Sequence, residues 1–354
     1  MAIMRRWRQR RQPGRVAYVL SGGGNLGALQ IGMLRALAER GIRPDLVVGC
    51  SVGAINGAAL AEDPSLVGVG RLERLWRELD GNELMPSGIL PRAVALARRG
   101  EAIHDNEGLR RVLEEQLTAR TFEDLAVPFQ CVATDVIGVR EMWFESGPLI
   151  EPILASAALP AVYPAVEIDG VRYLDGAIVD DVPMGRAVEL GARTIYVLQV
   201  GAFSRPRPEP RRPLDVAIQS YWLARHHRFK RDLAAMPPEI DVHLLPTGQT
   251  PAMRYNDFTR SAELVRAAYE ATSDYLAGRP ARPEMPAGTP EASQVATGAA
   301  DTAVDNGDGD LPAPVDDGVA DAPPSTEPPA RPGASGPPFR RGNRRASHHN
   351  GGDD

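Results

Sequence analysis

The chain has 354 residues, 43% of them hydrophobic, enough to bury one sizeable domain or two. A formal net charge of −6 excludes the overall basic footprint of a nucleic-acid binder. Two cysteines, Cys50 and Cys131, give neither a disulfide framework nor metal-ligand spacing, which fits a reducing compartment, and no stretch reaches the roughly 20 apolar residues of a membrane span.

Residues 1–14 carry Arg5, Arg6, Arg8, Arg10 and Arg11 with no apolar stretch behind them, so they read as a disordered basic arm and not as a secretory signal. Contact with an anionic membrane surface is the partner such an arm would suit. Residues 16–20 are a short apolar run that reads as a buried strand entering Ser21-Gly22-Gly23-Gly24-Asn25. A helix follows over 26–40, with Leu29, Met33, Leu34 and Leu37 on its apolar face and Gly41 as its stop. Residues 46–48 form the second strand, so the first two strands and their helix make a right-handed βαβ unit.

That strand runs into Gly49-Cys50-Ser51-Val52-Gly53 and then a helix rich in small residues. This is G-x-S-x-G in its required setting of strand, tight turn and helix. Such a turn lifts the Ser51 hydroxyl clear of the backbone, and the glycines at 49 and 53 avoid collision inside it. The helix beneath aims free N–H groups at the reaction centre, among them that of Val52. The plain alternative is a glycine-rich turn around a buried serine.

Further on, 65–79 reads as an amphipathic helix with Leu66, Val69, Leu72, Leu75 and Trp76 on one side, and 91–99 and 106–117 also read as helical. Strands follow at 128–135 and 141–145, then a helix at 148–159. Residues 166–169 and 171–174 pair across Asp169-Gly170, a hairpin signal. A buried strand at 194–200, a long helix at 214–233, a last strand at 241–245 and a closing helix at 257–276 complete the domain. From 280 onward Pro, Gly, Ala, Asp and Ser dominate, so 280–354 is expected to be a disordered tail. The organisation is therefore a basic arm at 1–14, a catalytic domain at 15–279 and the tail.

Gly22-Gly23-Gly24-Asn25-Leu26-Gly27 supports two chemistries. It matches the G-x-G-x-x-G of dinucleotide sites, but the acidic residue, Asp45, comes before the second strand and not after it. It also suits an oxyanion loop, in which bare N–H groups point at a developing negative charge. A serine nucleophile needs a base. Of the six histidines, His104, His226, His227 and His243 all have plainer structural readings, and His348 and His349 lie in the tail. Asp175, in Tyr173-Leu174-Asp175-Gly176-Ala177, follows a hairpin strand and could reach a neighbouring loop, or be a turn aspartate.

The segments 22–27, 49–53 and Asp175-Gly176-Ala177 together resemble the three signatures of the patatin-like phospholipases, and residues 155–164 resemble bacterial members of that family. The resemblance spans about 16–245. It implies an α/β fold of three layers, α/β/α, around a mainly parallel central sheet, and hydrolysis of lipid acyl esters by a Ser–Asp dyad. By that resemblance Ser51 is the nucleophile and Asp175 the base. Gly22, Gly23, Gly24 and Val52 form the oxyanion hole, with Gly27, Gly49, Gly53, Gly176 and Ala177 as further motif positions. Many members carry Arg or Lys where this chain has Leu26. The resemblance implies no metal and no organic cofactor and a lipid or other acyl-ester substrate, while the cysteine usage and the basic arm point to a cytoplasmic or peripheral membrane location. Two alternatives stand beside it: an α/β-hydrolase esterase with a Ser51–Asp175–His243 triad, and a catalytically idle lipid-binding or scaffold protein.

Overall fold

Strand β1 (Arg15–Leu20) decides the architecture. Its side chains alternate, Ala17 and Val19 to one face and Tyr18 and Leu20 to the other, and all four are buried. A strand buried on both faces needs a layer of structure over each. The computed structural model, which describes residues 15–79, 81–84, 102, 104–201, 213–250, 253 and 257–278, supplies both.

In chain order, β1 leads through a 3-10 turn (Gly24–Leu26) into α1 (Gly27–Glu39). Then come β2 (Leu46–Cys50), α2 (Val52–Glu62), α3 (Leu66–Glu78), the single turn α4 (Gly81–Leu84) and α5 (Glu107–Gln116). Next are β3 (Phe129–Asp135), β4 (Arg140–Phe144), α6 (Ile150–Ser156), β5 (Val166–Ile168) and β6 (Val171–Asp175). The described chain ends with α7 (Met184–Glu189), β7 (Ala192–Leu198), α8 (Pro213–Ala234), β8 (Asp241–Leu244) and α9 (Ser261–Leu276).

Strands β3, β2, β1, β7 and β8 are parallel neighbours, and β4, β5 and β6 join antiparallel around β3. On one face Tyr18, Leu20, Val47 and Leu198 pack with α1 residues Leu29, Met33 and Leu37 and with Leu264 and Val265 of α9. On the other, Ala17, Val19, Leu46, Val48, Ile195 and Val197 pack with Met184 and Ala187 of α7 and with Phe229 and Leu233 of α8. The expected three-layer fold around a mainly parallel sheet is the observed one.

Two local expectations change. In α1 both Leu29 and Ile31 are buried, because α9 and α3 cover the side that a single apolar stripe would leave to solvent. In α3 the buried face is Val69, Leu72 and Trp76, while Leu66 is 51% exposed in the first turn, before the helix reaches the core. The basic arm at 1–14, the helix expected at 91–99 and the tail at 280–354 lie outside the described residues.

Candidate active site

Ser51 stands between β2 and α2 with φ 54° and ψ −123°, a conformation that a non-glycine residue holds only when its surroundings impose it. Two close approaches impose it here. A Cβ on Gly53 would lie 2.2 Å from the Leu20 carbonyl oxygen, and one on Gly49 would lie 2.3 Å from that of Gly53. Only glycine lets β1, β2 and α2 meet so tightly. The Ser51 N–H donates to Ser156 Oγ at 3.0 Å, and Ser156 is fully buried at the end of α6. Cys50 points inward and is fully buried, so the turn presents Ser51 alone.

The sheet itself brings Asp175 to this turn. Strand β4 pairs with β3 along Cys131 to Asp135 and occupies one of its edges. The opposite edge is shared. Strand β2 pairs there as far as Cys50 opposite Val132, and β6 takes over with Asp175 opposite Ala133. The end of one strand therefore abuts the end of another, and the first residue past β2 faces Asp175. Ser51 Oγ donates to Asp175 Oδ2 at 2.7 Å. The other carboxylate oxygen accepts the Ala177 N–H at 2.8 Å, and the Cys50 thiol lies 3.9 Å from it. Main-chain bonds fix the residue: its N–H donates to Ala158 at 2.9 Å and its carbonyl accepts Thr134 Oγ1 at 2.8 Å.

Asp175 is 1% exposed, and burial raises its carboxyl from 3.8 to about 6. The Ala177 and Ser51 hydrogen bonds and the Arg225 cation pull the other way, and the Asp181 anion adds to the rise. Burial and the same carboxylates raise the Cys50 thiol well above its ordinary range, which keeps it protonated.

The glycine loop converges on the same place, since β1 and β2 end side by side with Leu20 opposite Gly49. A chain of buried polar contacts locks it. Trp76 Nε1 donates to Asn56 Oδ1 at 2.8 Å, and Asn56 Nδ2 donates to Gln30 Oε1 at 2.8 Å and to the Gly27 carbonyl at 3.1 Å. Gln30 Nε2 donates to the carbonyls of Ser21 at 2.9 Å and Leu198 at 3.1 Å. One assignment from the sequence needs correction. The Gly22 N–H is not open to an oxyanion, because it donates to Asp181 through Oδ1 at 3.1 Å and the main-chain oxygen at 3.3 Å. The N–H groups of Gly23, Gly24 and Val52 make no hydrogen bond to a described residue.

The dinucleotide alternative lacks its acid. Asp45 accepts the Val16 N–H at 2.9 Å, at the end of β1 opposite the glycine loop. The triad alternative lacks its histidine. His243 lies on β8, three strands from β2 and in register with Tyr196, Tyr18 and Val47. That is about 14 Å across the sheet and about 13 Å short of Ser51 along it. His243 stacks on Tyr196 with ring centroids 4.7 Å apart, and it bonds Tyr275 at 3.1 Å and Asp241 at 2.9 Å. His104, expected among polar residues, is instead buried beside Tyr163.

Sequence reasoning missed Asp181, Arg225 and Ser156. Arg225, one of a run of basic residues on α8, is 8% exposed and its guanidinium is in contact with the Asp181 carboxylate. Among the described residues no group of His, Cys, Asp and Glu side chains is placed to hold a metal ion.

Residues 18–188 match the family model described as patatin-like phospholipase. A patatin-like phospholipase domain-containing protein of Caenorhabditis elegans is 33% identical over 189 residues, covering 53% of this chain and 14% of that protein. Lysophospholipase NTE1 of Mycosarcoma maydis is 28% identical over 216 residues, covering 59% of this chain and 11% of that protein. An uncharacterized NTE family protein of Mycobacterium bovis is 32% identical over 224 residues, covering 60% of this chain and 55% of that protein. The chain thus spans only a small part of the length of the first two relatives and about half of the third. Gly22, Ser51 and Asp175 all fall within the matched residues, so the segment that holds the site is similar to the patatin-like phospholipase family.

Proposed function

We propose that this protein is a serine acyl hydrolase that cleaves lipid carboxylic esters through a Ser51–Asp175 dyad, without metal or organic cofactor. The observation that carries the reading is the 2.7 Å hydrogen bond from Ser51 Oγ to a buried carboxylate whose proton affinity burial has raised. An aspartate at its reference value is a weak base near neutrality, and at about 6 it is a competent one. Ser51 Oγ attacks the ester carbonyl carbon while its proton passes to Asp175 Oδ2. The oxygen that becomes negative is met by the N–H groups of Gly23, Gly24 and Val52, the last at the N-terminus of α2. Collapse expels the alcohol, which takes the proton from Asp175. Water then attacks the acyl-enzyme, giving a proton to Asp175 and releasing the acid as Ser51 recovers its own.

The lipid class of the substrate is carried by the family alone. A relative bears the printed name lysophospholipase, which makes a phospholipid or lysophospholipid the first substrate to try. Peripheral contact with an anionic membrane through the basic arm belongs to the same proposal. The test is labelling with a fluorophosphonate and turnover of a lipid panel, comparing the wild type with Ser51→Ala. Labelling and turnover confined to the wild type are expected. Labelling that persists in a folded Ser51→Ala variant overturns the nucleophile, and an unlabelled, inactive wild type supports the idle lipid-binding alternative.

A further inference from the structure

We propose that the buried Arg225–Asp181 pair is a clamp that positions the glycine loop against Ser51, making Arg225 and Asp181 positioning residues for the oxyanion hole. The proposal rests on the Ser51–Asp175 reading above. Arg225 reaches the site from α8, and Asp181 lies six positions after Asp175 on the turn beyond β6. Their side chains are 7% and 4% exposed. The Arg225 guanidinium also lies over Trp222 at 4.8 Å and Tyr221 at 5.1 Å, which fixes its plane.

Three observations connect this pair to the reaction centre. First, Gly22 is held by both the side chain and the main chain of Asp181, so a shift of the carboxylate carries the loop with it. Second, a Cβ placed on Gly22 would lie 2.6 Å from Asp181 Oδ1, 3.2 Å from Ser51 Cβ and 3.5 Å from Arg225 Nη2. The Gly22 backbone therefore lies between the nucleophile and the ion pair. Third, the pair is costly. Taking two charges out of water commonly outweighs their mutual attraction, so a buried pair of this kind is weak support for stability. Among the described residues Asp181 Oδ2 and Arg225 Nε are buried with no hydrogen-bond partner, so the pair is not optimised as a structural element. A positioning role accounts for that cost: with Gly22 N–H tied to Asp181, the next two N–H groups are the ones left to face the substrate.

The clamp has an electrical signature as well. Asp175 is surrounded by Ser51, the Ala177 N–H, the neutral Cys50 thiol and Tyr221, the Arg225 cation and the Asp181 anion. Arg225 lowers its proton affinity and Asp181 raises it. Removing each charge alone must move the acid limb of activity in opposite directions.

The test uses the full chain with a short-chain p-nitrophenyl ester, and compares Arg225→Met, Asp181→Asn and the double variant. Arg225→Met is expected to lose about 10²-fold in kcat with KM little changed, the size of effect a misplaced catalytic group causes. Its acid limb should move to higher pH. Asp181→Asn keeps an acceptor for Gly22 N–H, so it should lose less, and its acid limb should move to lower pH. The double variant removes both buried charges and should recover part of kcat. Wild-type kcat and unmoved limbs in folded single variants overturn the clamp. So does a loss of kcat that follows loss of fold while the limbs stay put. If Arg225→Met does not fold, the nearly isosteric Asp181→Asn decides by the same two readouts. Failure of the underlying dyad looks different: robust turnover in Asp175→Asn, whatever the clamp variants do.

Discussion

Replacing Asp175 by Asn should abolish turnover and stabilise the protein at the same time. The native state holds this carboxyl at about 6 against 3.8 when exposed, so between those values the folded chain binds a proton that the unfolded chain has released. The sign follows: stability is highest below the unfolded value, falls as pH rises through the interval, and stays low above the folded value. Each tenfold change in proton affinity is worth about 1.36 kcal/mol, so ionised Asp175 costs the fold about 3 kcal/mol at neutral pH. Asparagine keeps the shape and an oxygen for the Ala177 N–H without the buried charge. Urea unfolding at pH 8 should therefore place Asp175→Asn up to about 3 kcal/mol above the wild type, and the difference should vanish below about pH 3. Using the difference between the two proteins removes the contribution of Asp180, which burial raises to about 7. Wild-type kcat/KM should show an acid limb with the same midpoint, about 6, and fall tenfold per pH unit below it. Equal stability of the two proteins at pH 8, or an acid limb near 4, would refute the claim that burial activates this aspartate.

Two other substitutions test parts of the structure away from the dyad. His243→Ala should leave turnover at the wild-type level and cost about 1 kcal/mol, from its lost stacking on Tyr196 and bonds to Tyr275 and Asp241; a turnover loss beyond any unfolding would reinstate a histidine base. Val139 is a β-branched residue at φ 50° on the tip between β3 and β4, and is 86% exposed. Val139→Gly should raise stability by about 1 kcal/mol in a denaturant titration with turnover unchanged, because the backbone strain released exceeds the chain entropy glycine adds to the unfolded state; a loss of stability would show that the side chain packs against something at the tip.

What could be read from the sequence was what is encoded over a few residues. Gly49, Ser51 and Gly53 report a tight turn because glycines at that spacing, between a strand and a helix, allow a close backbone approach, and β1 and β2 are short apolar runs whose ends the motifs mark. The hairpin through Asp169 and Gly170 was legible for the same reason, and both residues adopt positive φ. The six-residue helix α7 escaped notice because a single turn and a half carries too little periodicity. Arg225 was not legible because a run of basic residues on a helix gives no sign of which one turns inward; only the fold of α8 over the segment after β6 tells them apart. The Gly22 donor was misassigned on similar grounds. A glycine run offers three N–H groups, and the one already used is decided by a carboxylate 159 positions away.

On the proposed mechanism, Asp175 and Asp181 are two buried carboxylates on one short segment with different duties. Burial pushes both upward, and both belong to the stretch between the end of β6 and the start of α7. Asp181 has a guanidinium in contact, which pulls against burial, and its carboxylate accepts the Gly22 N–H. Asp175 has no such contact. It has one main-chain N–H, the serine hydroxyl and Arg225 only as a more distant influence. In the proposed mechanism these different surroundings give one carboxylate to proton transfer and the other to position. The assignment has a direct consequence for the order of damage. Neutralising Asp175 removes the proton acceptor and leaves the loop in place, whereas neutralising Arg225 leaves the acceptor and loosens the loop. The first variant should fail at every pH, and the second should keep a bell or limb of the wild-type form at reduced height and shifted position. Profiles of the same shape and position in both variants would mean that the two aspartates do not divide the work.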